Sequence, residues 1–215
     1  MKKVLITGAS RGIGLATAKK FLEEGWFVLG ASTKESKSII DQNYKHYVLD
    51  LSSEESIESC AKIIVGDNPE IDVLVNCAGT AFEPDHNSDS TALRKDLEIN
   101  LIGTIGFTEK ILSIVKTSGQ ILMVSSMMSS LVDFTGDDYP SYRISKAGLN
   151  MYIKILAHRL KNITVSAFDL GWVKTDMGGQ DAPREPEVPA CEIFDLVNTD
   201  HPTGNFWFEG KIRSW

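Results

Sequence analysis

Tyr142 and Lys146 stand four residues apart in a stretch whose apolar residues recur at helical spacing, as at Leu149, Ile153, Leu156 and Leu160. On a helix, that spacing puts both side chains on one face with Cβ atoms about 5–6 Å apart. A phenol whose ordinary pKa is near 10 is a poor acid or base at neutral pH. A neighbouring ammonium stabilises the phenolate and lowers that value by roughly 1–3 units, toward the range where general acid–base catalysis works best. Tyr139 precedes Arg143 at the same spacing, but Pro140 follows it and disfavours the helical conformation it would need.

A second constellation is Thr7-Gly8-Ala9-Ser10-Arg11-Gly12-Ile13-Gly14, which joins a short β-type run to a helical stretch. Three glycines there permit a tight turn, close approach of backbone to a pyrophosphate, and close helix–strand packing. The helix start then offers unpaired N–H groups and a positive dipole end to phosphate. The spacing is GxxxGxG rather than GxGxxG, so the placement after the first strand of an alternating chain carries the inference of a dinucleotide. An NAD(H) site places a carboxylate at the tip of the second strand. This chain reads Leu29-Gly30-Ala31-Ser32-Thr33-Lys34 there, with no acidic residue before Glu35. Arg11, Ser32 and Lys34 would instead offer two cations and a hydroxyl to a 2′-phosphate. The expected cofactor is therefore NADP(H), with NADPH preferred over NADH.

These residues need a scaffold that gathers them. Short β-type runs at Lys3–Thr7, Trp26–Ala31, Lys45–Leu49, Ile71–Val75, Gln120–Ser125, Thr164–Phe168 and Asn205–Phe208 alternate with helical stretches at Ile13–Glu24, Ser53–Val65, Thr91–Lys116 and Tyr142–Leu160. Several of the strand runs are apolar throughout, as in a sheet covered on both faces. The pattern predicts an α/β fold: one Rossmann-type, doubly wound parallel sheet of about seven strands, helices on both faces, and residues 1–215 as a single domain. In such a sheet, ligands bind outside the carboxyl ends of the strands. The glycine turn follows the first strand, Ser32 the second, Asp50 the third, Asn76 the fourth, Ser126 the fifth and Gly171 the sixth, so all fall on one edge. The Pro- and Gly-interrupted stretch 178–190 reads as a loop and a candidate flap over that edge.

With 215 residues, 42% hydrophobic and 24% charged, the chain has ordinary globular usage, which excludes disordered, collagenous and disulfide-stapled classes. Twenty-two Lys+Arg against 29 Asp+Glu give a net charge of −7, which argues against a nucleic-acid partner. Arg11, Lys34 and Lys146 would then form a local cationic strip for an anionic cofactor. Cys60, Cys77 and Cys191 have no CxxC or zinc spacing and read as reduced thiols of a cytoplasmic protein. No targeting segment and no run of about 18 apolar residues is visible, so no membrane association is expected. His46, His86, His158 and His201 lack ligand spacing, and no metal is assigned. Trp26, Trp172, Trp207 and Trp215 read as core or interface residues.

Taken in order, the glycine turn, Asp50-Leu51, Asn76-Cys77-Ala78-Gly79, Asn100, Ser125-Ser126, Tyr142-Arg-Ile-Ser-Lys146 and Gly171-Trp-Val-Lys-Thr175 resemble the classical short-chain dehydrogenase/reductase family over essentially the whole chain. The run Gly171 to Gly179 also resembles the subgroup of sniffer-type carbonyl reductases and C-factor-like signalling proteins. The resemblance implies interconversion of a ketone or aldehyde with an alcohol by hydride transfer. Tyr142 would exchange the proton, Lys146 would tune it and bond the nicotinamide ribose, Ser126 would position the carbonyl, and Asn100 would anchor a relay water. Ser125 and Ser129 are neighbours of the same type; the family uses the second of its paired serines. For the cofactor the resemblance implies Gly8, Ser10, Arg11, Gly12, Ile13 and Gly14 at the phosphates, and Asp50 with Leu51 at the adenine. It further implies Asn76, Ala78 and Gly79 at the ribose wall, and Val173 and Thr175 at the nicotinamide. One departure is Leu170, after Asp169, where the family has proline. A homo-oligomer, dimer or tetramer, is implied through the two longest helices. An NADP(H)-binding signalling protein with incidental turnover is the alternative reading; a sugar epimerase would need a larger substrate domain.

Overall fold

The computed structural model describes residues 1–82 and 89–215. The strands are β1 (Lys3–Thr7), β2 (Phe27–Ser32), β3 (Tyr44–Val48), β4 (Ile71–Asn76), β5 (Val115–Ser125), β6 (Thr164–Asp169), β7 (Asn205–Phe208) and β8 (Lys211–Arg213). They form one sheet in the order β3-β2-β1-β4-β5-β6-β7-β8. All neighbours pair in parallel except β7 and β8, which run antiparallel. The eighth strand was not expected, because a three-residue Lys-Ile-Arg segment carries no strand signal until β7 is beside it.

Alternation along the strands builds two cores. Leu5, Leu29, Leu74, Ile121 and Val165 face one side, where they meet α2 (Glu54–Asp67), α4 (Thr104–Ile111) and α5 (Pro140–Arg159). Val4, Ile6, Val28, Val73 and Val75 face the other side, covered by α1 (Gly12–Glu23) and α6 (Glu187–Val197). Each fully buried aliphatic or aromatic side chain contributes roughly 1.5–3 kcal/mol of transfer free energy. In α2, Ile57, Cys60, Ala61 and Ile64 repeat at helical spacing, and Ser53 caps the first turn by accepting from the Ser56 amide at 3.2 Å.

Two helices depart from expectation. The span Thr91–Lys116 is not one helix: α3 (Ser90–Leu97) passes into a π-turn (Glu98–Gly103), then α4, and the chain already enters β5 at Val115. The cause is packing. A Cβ at Gly103 would lie 1.9 Å from the Leu51 carbonyl oxygen, and Thr104 Oγ1 donates to the carbonyl of Ile99, five residues back, at 3.0 Å. The loop read over 178–190 instead enters α6 at Glu187, with Pro186 and Pro189 at the helix start, where a missing N–H is tolerated.

Candidate active site

The chain order reverses between β1 and β4, and a cleft of about 750 Å³ opens there along the carboxyl edge of the sheet. At its centre is the glycine turn. Gly8 and Gly12 have φ of +73° and +53°, and a Cβ on Gly14 would lie 2.3 Å from the Gly8 carbonyl oxygen. The turn is tied to β2 by the Gly8 amide, which donates to Ala31 at 2.7 Å. Thr7 Oγ1 accepts from the Cys77 and Ala78 amides, both at 3.1 Å, and so fixes the wall opposite. A cradle that only glycine permits, opening onto the first turn of α1, fits a dinucleotide pyrophosphate.

Gly8, Ser10, Arg11, Gly12, Ile13, Gly14, Ser32, Asp50, Leu51, Ala78, Gly79, Val173 and Thr175 all line this cleft. Two expected residues do not. Lys34 is exposed outside the lining, and it is its carbonyl, not its ammonium, that meets Ser32, accepting from the hydroxyl at 2.9 Å. Asn76 is turned inward, where its Nδ2 donates to Thr108 Oγ1 at 3.0 Å and pins β4 to α4. The expected cationic strip is therefore not formed by Arg11, Lys34 and Lys146. Arg11 is paired across the cleft mouth with Asp176 at 2.7 Å. His46, on β3, stands 3.0 Å from Ser32 Oγ and was not singled out by spacing.

Tyr142, Lys146 and Ser126 converge deeper in the cleft. Helix α5 begins at Pro140, preceded by Tyr139 in the left-handed region at φ +51°, so Tyr142 points inward from the first turn while Tyr139 stays off the helix. Lys146 lies beneath the phenol, its Nζ 5.7 Å from the ring centroid and donating to the Val124 carbonyl at 2.8 Å. Burial pushes the Lys146 pKa down to about 8. Burial pushes the Tyr142 phenol up to about 12, helped by Asp169, Asp96 and Cys77 and opposed by the Ser126 hydroxyl. The sequence expectation of a lowered phenol is thus not met here: burial is the largest cause and raises it, the nearby acidic groups raise it further, and the Ser126 hydroxyl is what opposes them.

Asn100, fully buried in the π-turn, is committed on both sides: its Oδ1 accepts from the Thr80 amide at 2.8 Å, and its Nδ2 donates to the Thr80 carbonyl at 2.8 Å and to Ser145 Oγ at 3.0 Å. Through these bonds its side-chain amide braces the site wall. Beneath Ser126, Ser125 donates to Asn150 Oδ1 at 2.5 Å, and Asn150 Nδ2 donates to Ser129 at 2.8 Å. Ser126 itself heads a short turn, its Oγ accepting from the Met128 amide at 3.2 Å.

The mouth is apolar and aromatic, with Met127, Met128, Tyr139, Trp172 and Met177. Trp172, expected in the core or at an interface, is 57% exposed at this lip, its indole donating to the Gly178 carbonyl at 2.7 Å. The segment after it is fastened through the Lys174 amide, which donates to the Arg184 carbonyl at 2.8 Å. Among the described residues, no group of three or more metal-ligating side chains occurs; His86 lies outside them. No helix among them is long and apolar enough to cross a membrane.

A family model described as short chain dehydrogenase matches residues 2–186. Among curated proteins, carbonyl reductase (NADPH) 1 of Mus musculus is 26% identical over 98% of this chain and 97% of its own length. A 3-oxoacyl-(acyl-carrier-protein) reductase of Salmonella typhimurium is 32% identical over 82% of this chain and 75% of its own length. Among solved structures, the carbonyl reductase Sniffer of D. melanogaster superposes with a TM-score of 0.92 at 24% identity, covering 100% of both chains. A short-chain dehydrogenase/reductase from Burkholderia multivorans with bound NADP superposes with a TM-score of 0.89 at 24% identity, covering 100% of this chain and 99% of that one.

Proposed function

Because this chain belongs to the short-chain dehydrogenase/reductase family, oxidoreductases acting between C=O and CH–OH with NAD(P), we propose that it is an NADPH-dependent carbonyl reductase with Tyr142 as its proton donor. The observation that carries this reading is the convergence of Tyr142, Lys146 and Ser126 in the same cleft as the glycine turn. NADPH, when bound, supplies the hydride. The glycine turn and the start of α1 would hold its pyrophosphate, Asp50 and Leu51 its adenine end, Arg11 and Ser32 its 2′-phosphate, and Val173 and Thr175 its nicotinamide end. The carbonyl oxygen of the substrate would sit between the Tyr142 and Ser126 hydroxyls; Ser126 orients it and Tyr142 protonates it.

The electrostatics favour that direction. A phenol held near pKa 12 stays protonated at neutral pH, the form that can donate to a nascent alkoxide. The reverse reaction needs phenolate, so its rate should rise toward alkaline pH. Cofactor choice rests on the curated carbonyl reductases that use NADPH and on the absence of a carboxylate at the tip of β2.

Tyr142→Phe tests the reading directly. The variant should bind NADPH like the parent, followed by cofactor fluorescence. It should lose NADPH oxidation against a panel of ketones and aldehydes by a factor on the order of 10²–10⁴. Turnover equal to the parent's would remove Tyr142 from the chemistry and the proposal with it.

A further inference from the structure

Asp169, at the tip of β6, is a buried carboxylate in the cleft wall that the reaction as described does not use. Its neighbour is Leu170, so the turn into Gly171 is not set by a proline ring. What sets it is the carboxylate: Asp169 Oδ1 accepts from the Gly171 amide at 3.0 Å, and Gly171 itself turns at φ +70°. The Met127 amide, directly after Ser126, also donates toward Asp169. One residue thus stands at the start of both loops that face the substrate: it is paired in the sheet with Ser125, at the head of the Ser126 loop, and bonded to Gly171, at the head of the Gly171–Thr175 loop.

The carboxylate is held in turn. Arg213, on β8, forms an ion pair with Asp169 Oδ2. The Arg213 guanidinium lies against the rings of Phe206 and Phe208, with centroids at 5.8 and 5.1 Å. The chain just past β8 also meets the Ser126 loop, as Ser130 Oγ donates to the Trp215 carbonyl at 2.9 Å. A planar, always charged guanidinium is suited to hold a carboxylate in one orientation. A buried pair of this kind contributes little net stability compared with an apolar pair of the same volume, and its attested use is to fix a geometry.

We propose that Asp169, braced by Arg213, is a positioning residue for carbonyl reduction, coupling the Ser126 loop to the nicotinamide-facing loop so that the carbonyl and the hydride donor meet in register. The proposal rests on the reading of Tyr142 as the proton donor. Asp169 has a second effect through its charge, which faces the Tyr142 phenol together with Asp96 from α3, Cys77 after β4, Ser126 after β5 and Lys146 from the same helix. Its carboxylate favours the protonated phenol.

The test uses Asp169→Asn, Arg213→Met and Arg213→Lys in the full chain, with Tyr142→Phe measured alongside. Displacing a reacting group by about 1 Å can cost on the order of 10²-fold, so kcat should fall about 10–100-fold in D169N and R213M, with the KM for the carbonyl changing far less. R213K, which keeps the charge but not the planar, ring-stacked guanidinium, should recover only part of that loss. In the oxidation direction, the rise of rate with pH should begin at lower pH in D169N, because a like charge beside the phenolate is gone. A role in stability alone would lower the melting temperature of all three variants and leave that limb in place. Parental kcat and an unmoved limb in D169N would overturn the proposal. Should D169N fail to fold, an R213M variant with parental kcat would overturn it, and one that loses kcat and is partly rescued in R213K would sustain it. An active Tyr142→Phe would instead overturn the underlying reading, so the two failures are distinct.

Discussion

Tyr142 and Lys146 carry opposite consequences of one burial. Desolvation favours the neutral form of each, raising the phenol to about 12 and lowering the ammonium to about 8. For Lys146 this is also a statement about stability. The unfolded chain keeps the proton up to the ordinary value of 10.5 while the folded chain releases it near 8, so between those values the unfolded state binds more protons and stability rises with pH. Below about pH 8 the cost of the buried ammonium is present in full. In Lys146→Met that contribution disappears, and the stability difference between parent and variant should change by up to about 1.4 kcal/mol per pH unit across the window, measured by urea unfolding from pH 7 to 10.5. A flat difference would show that Lys146 is not desolvated. At this scale the sequence was legible where spacing alone fixes a face, as for Tyr142 and Lys146. It was not legible at Lys34 and Asn76, which stand at strand tips as expected. Which way a strand-tip side chain turns is decided by partners distant in sequence, such as Thr108 for Asn76.

The glycine turn, β1 and the start of α1 form the element on which cofactor binding depends. Gly14 sits where a methyl group would overlap the Gly8 carbonyl. Gly14→Ala must open the turn, so NADPH affinity should fall about 10–100-fold by fluorescence titration, the order expected for a misplacement near 1 Å. Gly66, exposed on α2 with nothing within 4 Å of a Cβ, is the contrasting case. Gly66→Ala should raise stability by about 0.5–1 kcal/mol through reduced unfolded-state entropy and leave binding unchanged. The turn was readable because its requirement is local. The π-turn was not, because it answers to the Leu51 carbonyl, roughly half a hundred residues away in the chain. Helix α6 was hidden by its own prolines. Asp169 lay on the correct sheet edge by position, yet its partner Arg213 is 44 residues distant and no spacing rule connects them.

At the scale of the whole molecule, the net charge of −7 extends into the cleft, where Asp50, Asp138, Asp169 and Asp176 outnumber Arg11 and Lys146 among the lining residues. Attraction of an anionic cofactor therefore cannot come from an excess of basic side chains. It falls to backbone N–H groups, the α1 dipole and Arg11. The sheet order explains how residues from the loops after six strands reach one edge, and that much followed from the alternating pattern. The Arg11–Asp176 pair did not, and it has a kinetic consequence. Its side chains are 74% and 78% exposed, so the pair is weak, on the order of 0–1 kcal/mol, and Arg11 must share its charge and its N–H donors between Asp176 and an arriving phosphate. Arriving cofactor and Asp176 compete for one guanidinium. Asp176→Asn should speed NADPH association and tighten binding by up to about 5-fold in dilute buffer, as seen by stopped-flow fluorescence. That advantage should shrink as ionic strength rises and screening loosens the parent's pair. The entry of cofactor into this protein would then be least hindered by its own surface in salty solution, the reverse of what simple attraction between a cation and a phosphate would give.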